Sequence, residues 1–186
     1  MATRTLFAQA RIRALSGNSI LPNNFKTSLS QGTMSIALNK LPMYVSRSVS
    51  RMVNESPKNS EFQKVFLDAF EKLKDETIYE IGKPCFAFAF HYEPSTKTLS
   101  FRGIVMEKTD SDVIRISNLG LTLETDHPQS WCLGSVIGSN GNVLFENGQY
   151  SDESMVIESI STLLSYMLTQ ESYKILDIAL NSMKEL

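Results

Sequence analysis

The sequence predicts an α+β fold: an antiparallel meander of about five strands covered by one N-terminal and two C-terminal helices. Two observations lead to this prediction. Residues 85–106 alternate as a β-hairpin does, and apolar residues recur at helical spacing before it, at 62–73, and after it, at 156–183. A chain of 186 residues with 42% hydrophobic and 20% charged residues is typical of one soluble globular domain.

Positive charge is concentrated at the N-terminus. Residues 1–54 hold seven of the 18 bases and no acid, a net charge of +7, and residues 55–186 hold the other eleven bases and all 20 acids, a net charge of −9. We therefore expect a basic arm at 1–54, followed by a single α+β domain at 55–186. The candidate contacts to an acidic partner are the seven bases of the arm: Arg4, Arg11, Arg13, Lys26, Lys40, Arg47 and Arg51.

The acid-free segment has three interpretations. It is a basic arm that engages nucleic acid, an anionic membrane or the acidic body of a neighbouring subunit in a homo-oligomer. It is an organelle transit peptide, because such peptides are rich in Arg and Ser and poor in acids; the mature N-terminus would then lie within 47–56. Or it is a tail docked on its own acidic body. We expect an intracellular protein, cytoplasmic if the arm is retained and mitochondrial if it is cleaved.

Two helices are predicted before the hairpin. At 44–53, valines occupy one face and Arg47 and Arg51 lie one turn apart on the other, so the apolar face is expected to dock on the body. The second helix begins at a capping box, Ser60 to Gln63, and ends near Glu76. We expect its phenylalanines to cover the aromatic face of the hairpin.

The hairpin is the clearest strand signal. Four aromatic residues fall on alternate positions of its first strand and therefore share one face of the sheet. Residues 93–97 contain turn formers and no large apolar residue, so they are expected to form the turn. The four aromatic residues are Phe86, Phe88, Phe90 and Tyr92.

Three more strands and two helices are predicted after the hairpin. A strand at 113–123 changes the parity of its apolar residues at Ser117-Asn118, where we expect a bulge. Strands at 131–137 and 143–145 are joined by an Asn140-Gly141 turn. The last strand is expected to end at Asn147-Gly148, and helices on either side of a polar stretch at 169–172 follow, the first capped by Ser151.

No catalytic, cofactor-binding or metal-binding constellation emerges from the sequence. Cys85 and His91 are six residues apart on one strand, about 20 Å, which is too far for one zinc ion. His127 and Cys132 supply only half a zinc site, but they leave open an enzyme of unknown class with a cysteine nucleophile. Trp131, beside that loop, is the candidate binding aromatic, or else a half-buried tryptophan at a strand edge.

The charge segregation and the lack of a catalytic constellation favour a structural protein with a role in protein–protein interaction or assembly. An organelle-imported accessory protein with a cleaved presequence is the first alternative. Nucleic-acid binding depends on the basic arm only, since the sequence contains no named nucleic-acid motif. No apolar run is long enough to cross a bilayer, so no transmembrane segment is expected.

Overall fold

A six-stranded antiparallel sheet forms the centre of the protein, seen in a computed structural model that describes residues 6–16, 27–55, 60–139 and 142–168. Across the sheet the strands follow the order β1-β4-β3-β2-β5-β6. The predicted α+β class is confirmed, with one strand more than expected. The strands are β1 (Thr27–Ala37), β2 (Pro84–Glu93), β3 (Thr98–Asp110), β4 (Val113–Glu124), β5 (Trp131–Ile137) and β6 (Val143–Gln149).

Helices cover both faces of this sheet and give three layers. On one face, called face A, α1 and α4 pack beside each other over an aromatic core. On the other, face B, α2 and α3 pack over smaller side chains. The four helices are α1 (Leu6–Leu15), α2 (Leu41–Glu55), α3 (Ser60–Glu71) and α4 (Glu153–Leu168).

The predicted hairpin is confirmed as β2 and β3. Glu93 pairs with Thr98 next to the turn, where Lys97 has a φ of 53°, in the left-handed region. The aromatic side chains of β2 lie on face A as expected. Phe88 stacks on Phe7 of α1, with ring centroids 4.7 Å apart. The hairpin is therefore joined to the N-terminal segment through its aromatic face.

The helix expected to cover the aromatic face packs on the opposite face, so this expectation is wrong. Phe66 and Phe70 of α3 stack on each other, with ring centroids 4.3 Å apart, in the face B core. Small residues make room for α3 there. A Cβ added at Gly134 of β5 would lie only 3.0 Å from Cγ1 of Val65. The phenylalanines of α3 therefore fill the space above the small side chains of β2 and β5.

No bulge occurs at Ser117-Asn118, which corrects a second expectation. The register of β4 with β1 is uninterrupted along the whole of β4 up to Leu123, and its register with β3 shifts only near Lys108. The change of parity has another cause. The isoleucines at even-numbered positions, Ile114 and Ile116, lie under α2 and α3 on face B. The leucines at odd-numbered positions, Leu119, Leu121 and Leu123, lie under α1 and α4 on face A. The two halves of one regular strand are thus buried on opposite faces.

The described residues of the N-terminal third are part of this fold. For these residues, 6–16 and 27–54, the prediction of a separate arm at 1–54 is wrong. Phe7 and Ala10 are fully buried in the face A core, and β1 pairs along its whole length with β4. These residues form an outer helix and an edge strand of the same domain.

The second helix of this N-terminal third, α2, confirms that its apolar face docks on the body. Leu41, Val45 and Val49 are buried in the face B core. Because α2 runs to Glu55, the boundary drawn after residue 54 falls within its last turn. Cleavage within 47–56, as a presequence requires, would remove α1, β1 and much of α2, and so uncover both cores.

The C-terminal elements differ in detail from the prediction. Asn147 and Gly148 lie inside β6, paired with β5, instead of ending it. Asp152 caps α4 by accepting a hydrogen bond from the backbone N–H of Met155, at 3.2 Å, in place of Ser151. The predicted Asn140-Gly141 turn and the last predicted helix lie outside the described residues.

Candidate functional site

The exposed side of α2 and the turn before it hold three of the predicted contact bases. Lys40 ends a short 3-10 turn that leads into the helix, and its side chain is exposed. Arg47 and Arg51 are four residues apart, so they lie one above the other on the solvent side of α2. The buried side of the same helix is anchored in the face B core. These bases are therefore carried on a helix whose position is set by packing.

Two more of the predicted contact bases are described, and they are not part of this surface. Arg11 and Arg13 lie on α1, where both are partly exposed. Arg4 and Lys26 lie outside the described residues. The five described bases of the predicted set are thus divided between α1 and the α2 region, which pack on opposite faces of the sheet.

Among the side chains that the structure describes, the bases of α2 differ from several other bases of the domain in having no acidic partner. No ion pair to Arg47 or Arg51 forms within the described part of the chain. Elsewhere, a carboxylate lies close to each of four bases: Lys74–Glu71 at 2.8 Å, Lys83–Glu80 at 2.8 Å, Lys97–Asp126 at 3.3 Å and Arg115–Glu107 at 2.6 Å. Arg47 and Arg51 are therefore exposed, and no carboxylate of the described side chains pairs with them.

Trp131, the predicted binding aromatic, belongs to the face A core. Its side chain is only 3% exposed. The ring of His127 lies 6.1 Å from the Trp131 ring and 5.1 Å from the ring of Tyr92. The Tyr92 hydroxyl accepts a hydrogen bond from the backbone N–H of His127, at 2.8 Å, and donates one to the Thr125 carbonyl, at 2.9 Å. The cluster therefore fixes the loop before β5 onto the sheet.

Two ring nitrogens of this cluster are shielded from solvent. Neither Nε1 of Trp131 nor Nε2 of His127 has a hydrogen-bond partner among the described residues. Nδ1 of His127 lies 2.8 Å from the carbonyl oxygen of Gln129. The backbone N–H of Gln129 also lies 3.2 Å from Nδ1, so the donor and acceptor roles of the two imidazole nitrogens depend on the tautomer.

The predicted pairing of His127 with Cys132 does not form. The ring of His127 lies against face A aromatics, whereas Cys132 belongs to the face B core. Cys132 instead lies opposite His91 of β2, and the two side chains are 3% and 2% exposed. Sequence reasoning missed this pair because it depends on the register of β2 with β5. Both side chains are buried, so a substrate could not reach a nucleophile at this position.

The remaining cysteine is also buried. The Sγ atom of Cys85 lies 3.2 Å from the Ser139 hydroxyl and 3.3 Å from the Ile78 carbonyl oxygen. Burial raises the pKa of the Cys85 thiol, and this outweighs the opposite effect of the hydrogen bonds from Ser139. The thiol form is therefore favoured, and the thiolate is the reactive form. Cys85 is a packing residue.

Neither a metal cluster nor a membrane span is found where the structure is described. No group of three or more His, Cys, Asp or Glu side chains there is arranged to hold a metal ion. No helix in those parts of the chain is long and apolar enough to cross a bilayer. Comparison with protein families, with curated proteins and with solved structures gave no match.

Proposed function

We propose that this protein is a non-enzymatic interaction protein that binds an acidic partner through the exposed basic side of α2. The observation that carries the proposal is the pair Arg47 and Arg51, exposed and without an acidic partner in the described structure. Exposed charges that are not neutralised within the protein attract molecules of opposite charge and accelerate their association. The partner is therefore a polyanion or the acidic surface of another protein.

Anchoring of α2 strengthens this proposal. Tyr44 holds the helix to β4, because its hydroxyl accepts a hydrogen bond from Nδ2 of Asn118 at 3.2 Å. Val45 and Val49 are buried beside it. A helix held in this way keeps the backbone positions of Arg47 and Arg51 fixed, so binding has little to order in this protein beyond the two side chains.

Charge reversal tests the proposal without removing part of the core. Deletion of 1–54 would uncover both hydrophobic cores, so the sharper variant is the double substitution R47E/R51E. Its matched control is K83E/K97E, because Lys83 and Lys97 are exposed and the change in net charge is the same. Binding is measured against three probes: single-stranded RNA, polyglutamate and anionic lipid vesicles.

R47E/R51E is expected to weaken binding to at least one probe about tenfold or more, which corresponds to about 1.4 kcal/mol. With RNA, the logarithm of the binding constant should fall linearly with the logarithm of the salt concentration. The slope should be about −2 if the three basic side chains, Lys40, Arg47 and Arg51, each contact a phosphate. The magnitude of the slope should fall to about 0.7 or less in R47E/R51E, where one of the three bases is left, and stay unchanged in K83E/K97E. Equal binding by the two double variants would show that α2 is not the contact surface.

A further inference from the structure

Strand β1 lies at one edge of the sheet, and it lacks charged residues, proline and bulges, three features that often protect an edge. Its sequence, TSLSQGTMSIA, contains no charged residue and no proline. It pairs with β4 in a register that runs without a bulge from Thr27–Leu123 to Ala37–Val113. No strand of the described residues pairs with its other side. Charges, proline and bulges are the devices that keep edge strands from pairing with another chain.

The opposite edge, β6, is different in charge and length. It has seven residues and carries Glu146 at its centre. A carboxylate oxygen of Glu146 accepts a hydrogen bond from the backbone N–H of Leu6, at 2.9 Å, so this edge is tied to α1. If β6 paired with a second β6, two like charges would face each other near the centre, which destabilises a strand pair.

We propose that two copies of this protein associate by antiparallel pairing of β1 with β1, which joins their sheets into one twelve-stranded sheet. The charge pattern favours a second copy as the occupant, since a neutral strand pairs with itself without any like-charge contact. Thr33 and Ser35 are exposed on face A and are suited to polar cross-strand pairs. Self-pairing is also a closed two-fold arrangement, whereas pairing of β1 with β6 would produce an open filament.

The two-fold axis of such a dimer is perpendicular to the sheet, because the paired strands run in opposite directions while face B of both copies lies on the same side of the joined sheet. Both copies then place α2 on the same side of the joined sheet. Face B has room beside the interface, where a Cβ added at Gly32 would meet nothing within 4 Å. The dimer presents two basic helices to one partner, which extends the proposed function without depending on it.

Two lysine substitutions with matched exposure test this dimer. Met34 on β1 and Leu144 on β6 are both large apolar residues that are 45% exposed. Sedimentation equilibrium of the full chain should give twice the mass of one chain for the wild type and for L144K. M34K places like charges in the strand pair, and its dimer dissociation constant should rise at least about tenfold, or about 1.4 kcal/mol.

Disulfide trapping provides a second readout that does not depend on weakened association. The native Cys85 and Cys132 are buried, so a new exposed cysteine is the reactive one. T33C or S35C should form a cross-linked dimer under mild oxidation, and Q149C, on the other edge, should not. The inference is overturned if the wild type has the mass of one chain at a concentration on the order of 100 µM, well above a micromolar dissociation constant. It is also overturned if M34K remains as dimeric as L144K.

Discussion

His91 is a buried polar residue that links the stability of the fold to pH. It lies on β2 between Ser100 of β3 and Cys132 of β5, and only 2% of its side chain is exposed. Burial lowers the pKa of His91 below its ordinary value, and the carboxylate of Glu93 opposes this effect only in part. The folded protein therefore holds His91 in its neutral form more strongly than the unfolded chain does.

The sign of this shift predicts an effect on stability. The unfolded chain binds a proton on His91 near pH 6.5, whereas the folded protein does so only at lower pH. The free energy of unfolding should therefore decrease as pH falls below about 6.5. H91Q lacks this titrating group. Its free energy of unfolding, measured by urea denaturation, should therefore decrease less between about pH 7.5 and about pH 5 than that of the wild type. An equal loss in the two proteins would contradict this account.

At the scale of elements, α1 is the one whose role the sequence pattern concealed. Its buried residues Phe7, Ala10 and Ala14 follow a spacing of three and four, but they are few and lie in a segment that composition alone identifies as an arm. In the structure Phe7 is fully buried and stacks on Phe88. The helix therefore completes the aromatic core instead of extending from it.

The packing of α1 predicts that alanine substitutions at two positions of this helix lower the free energy of unfolding by unequal amounts. F7A removes a fully buried ring and should lower the free energy of unfolding by about 3–5 kcal/mol. L15A, on the same helix, removes a side chain that is 48% exposed and should cost less than about 1 kcal/mol. Urea denaturation followed by the fluorescence of Trp131 measures both values. Similar small costs for the two variants would mean that α1 does not complete the core.

The strands that were predicted correctly have strong period-two patterns. The aromatic alternation of β2 and the turn predicted at 93–97 were sufficient for the hairpin, although Glu93 belongs to β2, and Trp131–Ile137 was predicted with its observed limits. Strand β1 was missed because its serines, threonines and single glycine give little alternation. It is specified by pairing with β4, a long-range contact that does not show in a local pattern.

The candidate site was predictable to a similar degree. The spacing of Arg47 and Arg51 on one side of a helix is visible in the sequence. That no carboxylate of the described side chains pairs with them depends on which elements pack beside α2, so only the structure shows it. For the same reason, neither the burial of Trp131 nor the separation of His127 from Cys132 onto opposite faces could be derived from their closeness in the chain.

For the whole molecule, the segregation of charge along the chain does not correspond to a segregation into two units. The basic N-terminal third supplies a helix to each face of the sheet and one edge strand. Its bases are therefore displayed on the surface of the domain itself. Binding of an acidic partner is expected to occur with the domain already folded, as a rigid surface contact instead of the capture of a partner by a flexible tether.

Hydrogen exchange of the native protein tests this central claim most directly, because it measures the opening of each element separately. We predict that the hydrogen-bonded amides of α1 and α2 exchange as slowly as those of β2, through the same global unfolding event. If the amides of Leu6–Leu15 and Leu41–Glu55 instead exchanged at the rate of an unfolded chain while β2 stayed protected, the N-terminal third would be an arm and this account would be wrong.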